Sequence, residues 1–132
     1  MTHALSGGPI LIVDDNEEMR EALGAVLESA GHEVLAAADG REALAFLRRC
    51  AVPPCLVLLD LMMPGLDGWD FRAEQLRDER LASIPVIVLS AHPLAMLTKN
   101  MGAAAVLPKP SDPETLLATV RATLRDRAPG PA

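Results

Sequence analysis

Five short apolar runs punctuate the chain, and a stretch of different periodicity follows each one. The runs are Ile10-Leu11-Ile12-Val13, Val34-Leu35-Ala36-Ala37, Leu56-Val57-Leu58-Leu59, Pro85-Val86-Ile87-Val88-Leu89 and Ala104-Ala105-Val106-Leu107. A strand with one solvated face alternates polar and apolar residues. Uninterrupted runs of this length predict strands covered on both faces. After the first run, Met19, Ala22, Leu23, Val26, Leu27 and Ala30 recur at three and four, the stripe of an amphipathic helix. A second helix carries Ala43, Leu44, Phe46 and Leu47, and a third runs from about Gly68 to Asp78. A short fourth runs from about Pro93 to Met101, and the last has Leu116, Leu117, Val120 and Leu124 inward. Strand and helix alternating five times predict an α/β fold, one doubly wound (βα)5 domain on a parallel sheet with right-handed crossovers.

The punctuation agrees with this reading. Asn16 suits an N-cap, with Glu17 and Glu18 in the first turn, and Gly31 suits the stop. Asp39 with Glu42 and Ser111 with Glu114 have capping-box spacing. Pro93 is tolerated at a first helical position, and Gly102 would end that helix. Pro53-Pro54 marks the start of the third strand, and Pro64-Gly65 a turn beyond its end.

At 132 residues, half of them hydrophobic, the chain is expected to fold as one domain over residues 9–126. Residues 1–8 and 127–132 read as frayed ends. Twelve basic against 18 acidic residues give a net charge of −6, which disfavours direct binding to nucleic acid. No apolar run approaches the roughly 20 residues of a membrane span, and the start lacks secretory character, so residence in the cytoplasm is expected. Cys50 and Cys55 have no second pair and no clustered histidine, so they are expected as reduced, small, apolar residues rather than metal ligands.

The strand ends carry the chemistry. Asp14 and Asp15 follow the first strand, Asp60 ends the third, Ser90 the fourth, and Lys109 follows the fifth between Pro108 and Pro110. A core needs none of these groups. In an open parallel sheet ligands bind beyond the carboxyl ends of the strands. In a sheet of order 2-1-3-4-5 these four strands are neighbours about 4.8 Å apart, and their polar groups converge on one crevice. A single Asp or Lys at a strand end reads as a solvated loop residue; four such ends together read as a site.

These residues resemble the response-regulator receiver domain of two-component signalling, over roughly Pro9 to Arg125. The resemblance rests on Asp14-Asp15, on Asp60 followed by Met63-Pro64-Gly65 and Asp67-Gly68, on Ser90-Ala91, and on Lys109-Pro110. It implies the strand order 2-1-3-4-5. It implies Asp60 as phosphoacceptor, and Asp15, Asp60 and the Met62 carbonyl as direct Mg2+ ligands. Asp14 would act through bound water, the Ser90 hydroxyl would hydrogen-bond the phosphoryl group, and Lys109 would pair with it. The implied partners are a sensor histidine kinase or histidine phosphotransfer protein upstream, and a protein reading the helix 4 to helix 5 face downstream. No direct contact with nucleic acid and no membrane insertion are expected. Such a domain is a signalling switch that takes part in its own phosphorylation and dephosphorylation.

Charge arithmetic supports those roles separately. Two carboxylates about 4 Å apart repel by roughly 4 kcal/mol at an effective dielectric near 20. Three of them cannot receive an anionic phosphodonor without a hard cation, and magnesium takes carboxylate, water and phosphate oxygens. A flavodoxin-like binder needs a Ser/Thr/Gly-rich phosphate loop after the first strand, where Asp14 to Glu18 would repel an anion. A haloacid-dehalogenase-type phosphatase wants a second Asp where Met62 stands. The remaining alternative is a receiver-like interaction module that is never phosphorylated. The side chains of His92 and Met62 are expected beside the site without an essential role, and Trp69 is expected to pack at the start of the third helix. One position departs from the family. Val106 lies three residues before Lys109, where receivers commonly carry Tyr or Phe, so output is expected through the stretch after Ser90 rather than through residue 106.

Overall fold

The apolar runs become a five-stranded parallel sheet in a computed structural model that describes residues 8–63, 65–91 and 102–127. The strands are β1 (Ile10–Val13), β2 (Val34–Ala37), β3 (Leu56–Asp60), β4 (Val86–Ser90) and β5 (Ala105–Pro108), in the order β2-β1-β3-β4-β5. The described helices are α1 (Glu17–Ser29), α2 (Gly40–Arg49), α3 (Gly68–Leu76), the one-turn α4 (Glu79–Ala82) and α5 (Pro113–Arg127). Side chains alternate faces along a strand, so each apolar run feeds two cores. Leu11, Val13, Val57, Leu59, Val86 and Val88 meet Ala43, Leu44, Leu47, Phe71 and Leu81 on one face. Ile10, Ile12, Leu56, Leu58, Ile87 and Leu89 meet Leu23, Leu27, Leu116 and Val120 on the other. The edge strand β2 is the exception, with Leu35 and Ala36 exposed. Among the described residues no helix is long and apolar enough to cross a membrane.

The caps agree with the sequence in part. Asn16 caps α1, its side chain accepting the Met19 N–H at 3.0 Å, and Gly31 follows the helix with φ +95°. Asp39 caps α2 through the Glu42 N–H at 2.8 Å, while Glu42 reaches back to the Ala38 N–H. Four expectations need correction. Ala22 and Ala30 are exposed, so the α1 stripe is narrower than its spacing suggests, and buried Gly24 lies within it. The third helix stops at Leu76, because Asp78 accepts the Arg80 N–H and caps the separate turn α4. The last strand is Ala105–Pro108, one residue later than its apolar run. Asp112, not Ser111, caps α5: its carboxylate accepts the Thr115 N–H at 3.1 Å and Pro113 takes the first helical position, while the Ser111 hydroxyl turns to the Pro108 carbonyl. The helix expected over Pro93 to Met101 lies outside the described residues.

Candidate functional site

Register sets the site. Val13 pairs with Leu59 across β1 and β3, Asp60 with Leu89 across β3 and β4, and Ser90 with Pro108 across β4 and β5. Asp14 therefore stands level with Asp60 at the carboxyl edge. Lys109 follows one residue beyond Pro108, the partner of Ser90, and its N–H donates to the Ser90 carbonyl at 3.0 Å. The Lys109–Pro110 peptide is cis. Here the fold brings Asp14, Asp15, Asp60, Ser90 and Lys109 to one edge.

One carboxylate oxygen from each of Asp14, Asp15 and Asp60 lies within 4.8 Å of the others. Asp14 and Asp60 are buried, and Asp15 is exposed. The Lys109 Nζ sits 2.9 Å from Asp14 Oδ2 and 3.2 Å from Asp60 Oδ2. Asp14 Oδ1 accepts the Asn16 N–H at 2.8 Å, whereas its buried Oδ2 accepts no well-directed hydrogen bond and meets Lys109 as an ion pair. Asp60 Oδ1 accepts the Met62 N–H at 3.2 Å. A cleft of about 340 Å³ opens here, lined by Asp15, Asn16, Asp60, Met62, Ala91 and Lys109. Met62 is exposed on its rim, and Ser90 is buried at the end of β4.

Three carboxylates face one ammonium, so the crevice carries surplus negative charge when all are ionised. Burial first, and then Asp14, raise the Asp60 pKa; Lys109 and the Met62 N–H only partly oppose them. Burial alone would lower the Lys109 pKa, but Asp14 and Asp60 outweigh it and raise it. The donor set fits a hard divalent cation: all oxygen, in negative surplus, with the buried Asp14 Oδ2 met only by the Lys109 ion pair.

Gly68 positions the phosphoacceptor candidate from behind. A Cβ there would stand 2.7 Å from Leu61 Cα and 2.8 Å from the Asp60 carbonyl oxygen, so only glycine lets α3 start against this backbone. Trp69 is half-buried and packs on the neighbouring core. His92 lies outside the described residues. The sequence reading missed Arg20, whose Nη1 donates to the Asp14 carbonyl at 2.8 Å. A signal existed: helical side chains tilt towards the N-terminus, so a long cation in the first turns of α1 can reach back over the β1–α1 loop.

The model of the response regulator receiver domain matches residues 10–121. Over 118 residues the chain is 39% identical to protein PilH of Pseudomonas aeruginosa, covering 87% of this chain and 96% of PilH. It is 37% identical to the phosphate regulon transcriptional regulatory protein PhoB of the same organism, covering 94% of this chain and 55% of PhoB. Among solved structures, chemotaxis protein CheY4 of Vibrio cholerae is 32% identical with a TM-score of 0.80, covering 89% of this chain and 98% of that one. The receiver domain of a signal transduction histidine kinase from Syntrophus aciditrophicus is 30% identical with a TM-score of 0.82, covering 95% and 97%.

Proposed function

The chain belongs to the response regulator receiver family of two-component signalling, and from that premise we propose that Asp60 is its phosphoacceptor, charged from a phosphohistidine in the presence of Mg2+. One observation carries the reading. At the carboxyl edge, three carboxylates converge within 4.8 Å while a single ammonium bridges two of them. Such a cluster costs stability and adds nothing to the core, so its return lies in chemistry.

The division of labour follows from placement. Asp15, Asp60 and the Met62 carbonyl would hold Mg2+ directly, and Asp14 through water. The cation supplies the positive charge that lets an anionic phosphodonor approach. An Asp60 carboxylate oxygen attacks phosphorus, the P–N bond to the donor imidazole breaks, and its electron pair returns to the leaving nitrogen. Asp60 becomes an acyl phosphate. Lys109, already on Asp60, is placed to pair with the new phosphoryl oxygens. Ser90, on the adjacent strand, is placed to donate its hydroxyl to one of them. The domain spans residues 9–126, acts in the cytoplasm, receives phosphate from a sensor histidine kinase or a phosphotransfer protein, and presents a switched surface to a downstream protein. In our reading that surface is the face between the helix expected over Pro93 to Met101, outside the described residues, and the last helix; Val106, half-buried against the core, contributes little.

Acid-labile radiolabel should enter the wild type from a phosphohistidine or small-molecule phosphodonor. It should be lost in Asp60→Asn and in EDTA. Full labelling of Asp60→Asn would sink the assignment. No labelling of the wild type under any donor would favour an interaction module that is never phosphorylated.

A further inference from the structure

Arg20 takes no part in the chemistry just described, yet it is tied to the main chain that presents the acidic pair. We propose that Arg20 is a positioning residue for the divalent cation: by holding the Asp14 carbonyl it fixes the Asp14–Asp15 peptide and with it the direction of the Asp15 carboxylate. The inference rests on the functional reading above and names a residue outside the ligand set.

The argument starts where the sheet stops. The β1 ladder ends at Val13, so Asp14 is the first residue whose carbonyl lies beyond it. Asp14 is nonetheless held at three points. Its N–H donates to the Ala37 carbonyl at 3.2 Å, its Oδ1 accepts the Asn16 N–H at 2.8 Å, and its carbonyl accepts Arg20 Nη1 at 2.8 Å. Asp15 differs. It is exposed, and no side-chain hydrogen bond among the described residues fixes it. What aims its carboxylate is the main chain, and the peptide plane that sets this direction is the one whose oxygen Arg20 holds. The Arg20 main chain is fixed in the first turn of α1, where its N–H donates to the Asn16 carbonyl at 3.0 Å. Arg20 is half-buried, which strengthens a charge-assisted bond to a carbonyl.

Charge and position make opposite predictions. By charge alone, a guanidinium beside a cation site repels the metal, and its removal tightens binding. If Arg20 aims a ligand, its removal loosens binding, and losing an outer partner of a metal ligand commonly costs about 10- to 100-fold in affinity. The experiment is magnesium titration of the full chain by calorimetry and by Trp69 fluorescence, with the metal-free thermal midpoint measured in EDTA. Arg20→Ala should bind Mg2+ about tenfold more weakly, with a metal-free midpoint close to wild type. Arg20→Lys, which keeps a donor and the charge, should recover most of the loss. Should Arg20→Ala fail to fold, Arg20→Met, which keeps the length of the chain but has neither charge nor donor, is expected to bind more weakly than Arg20→Lys. Binding by the uncharged variant as tight as wild type, or tighter, overturns the role of Arg20. So does an affinity loss that merely tracks a fallen metal-free midpoint. A wild type that binds no magnesium overturns the reading of the site itself, and this inference with it.

Discussion

Among the described residues, two buried polar clusters are built on opposite principles. In α3, Arg72 donates to Gln75 Oε1 at 2.9 Å and to the Gly102 carbonyl at 3.3 Å. Gln75 Nε2, wholly buried, donates to the carbonyls of Leu81 at 2.9 Å and Ile84 at 3.0 Å. These acceptors are neutral, and they join α3 to the entry of β4 and to the approach of β5. Burial lowers the Arg72 pKa, though a guanidinium stays charged at neutral pH. At the carboxyl edge, by contrast, like charges gather, and Asp14 and Asp60 share the ammonium of Lys109. The first cluster closes its hydrogen bonds within the protein; the second leaves a surplus of negative charge, only partly met by Lys109, that a cation can neutralise. A buried polar cluster therefore reads as structural or functional according to whether its valences are satisfied from within.

The largest effect that can break this comparison falls on the closed cluster. Gln75→Ala strands two buried carbonyls and opens a cavity, and is expected to cost about 3 kcal/mol of unfolding free energy in urea. Magnesium affinity of the folded fraction should be unchanged. A variant as stable as wild type would show that the cluster is not a structural joint.

Gly68→Ala follows, because it touches the other cluster through the main chain. The added Cβ would collide with Leu61 Cα and the Asp60 carbonyl, both backbone, which cannot rotate away. A loss of about 2 kcal/mol is expected, as for other overpacked positions, together with slower labelling of Asp60 as α3 is pushed off the phosphoacceptor. Unchanged stability with unchanged labelling would place the helix start farther from Asp60 than this fold does.

How much of this was legible in the sequence depends on where the determining contacts lie. The strands were readable because double burial leaves no polar residue in Ile10–Val13 or Leu56–Leu59, and their order followed from the family. The site was readable because a parallel sheet sends every strand's carboxyl end to one edge, so Asp14, Asp60, Ser90 and Lys109 had to meet if their strands were neighbours. Caps were readable only where nothing competed. Asp39 and Asn16 were found, but Ser111 and Asp112 are adjacent candidates, and Pro113 decides between them. Arg72 and Gln75 were illegible: a polar pair on a helix reads as a solvated face until tertiary contacts bring the Gly102, Leu81 and Ile84 carbonyls against it.

The smallest effect concerns the open cluster and is the one that pH can sharpen. The folded state raises the Asp60 pKa, chiefly through burial and then through Asp14. A carboxyl whose folded pKa lies above its unfolded value binds its proton more tightly when folded. Between those two values stability therefore falls as pH rises, and the penalty is complete above the folded value. Asp60→Asn removes the charge, keeps an oxygen for the Met62 N–H, and leaves Lys109 paired with Asp14. In EDTA at low ionic strength and neutral pH, the variant should melt a few degrees above wild type, as a gain on the order of 1 kcal/mol implies for a domain of this size. The gap should close as pH falls towards 3.8, the unperturbed value, because folded wild-type Asp60 takes up its proton above that point. Saturating Mg2+ should narrow the gap from the other side, by stabilising the wild type more than a variant that has lost a ligand. A metal-free Asp60→Asn that melts below wild type at neutral pH would mean that the Lys109 pairing outweighs both burial and repulsion, and that the crevice, like the Arg72–Gln75 cluster, is closed from within.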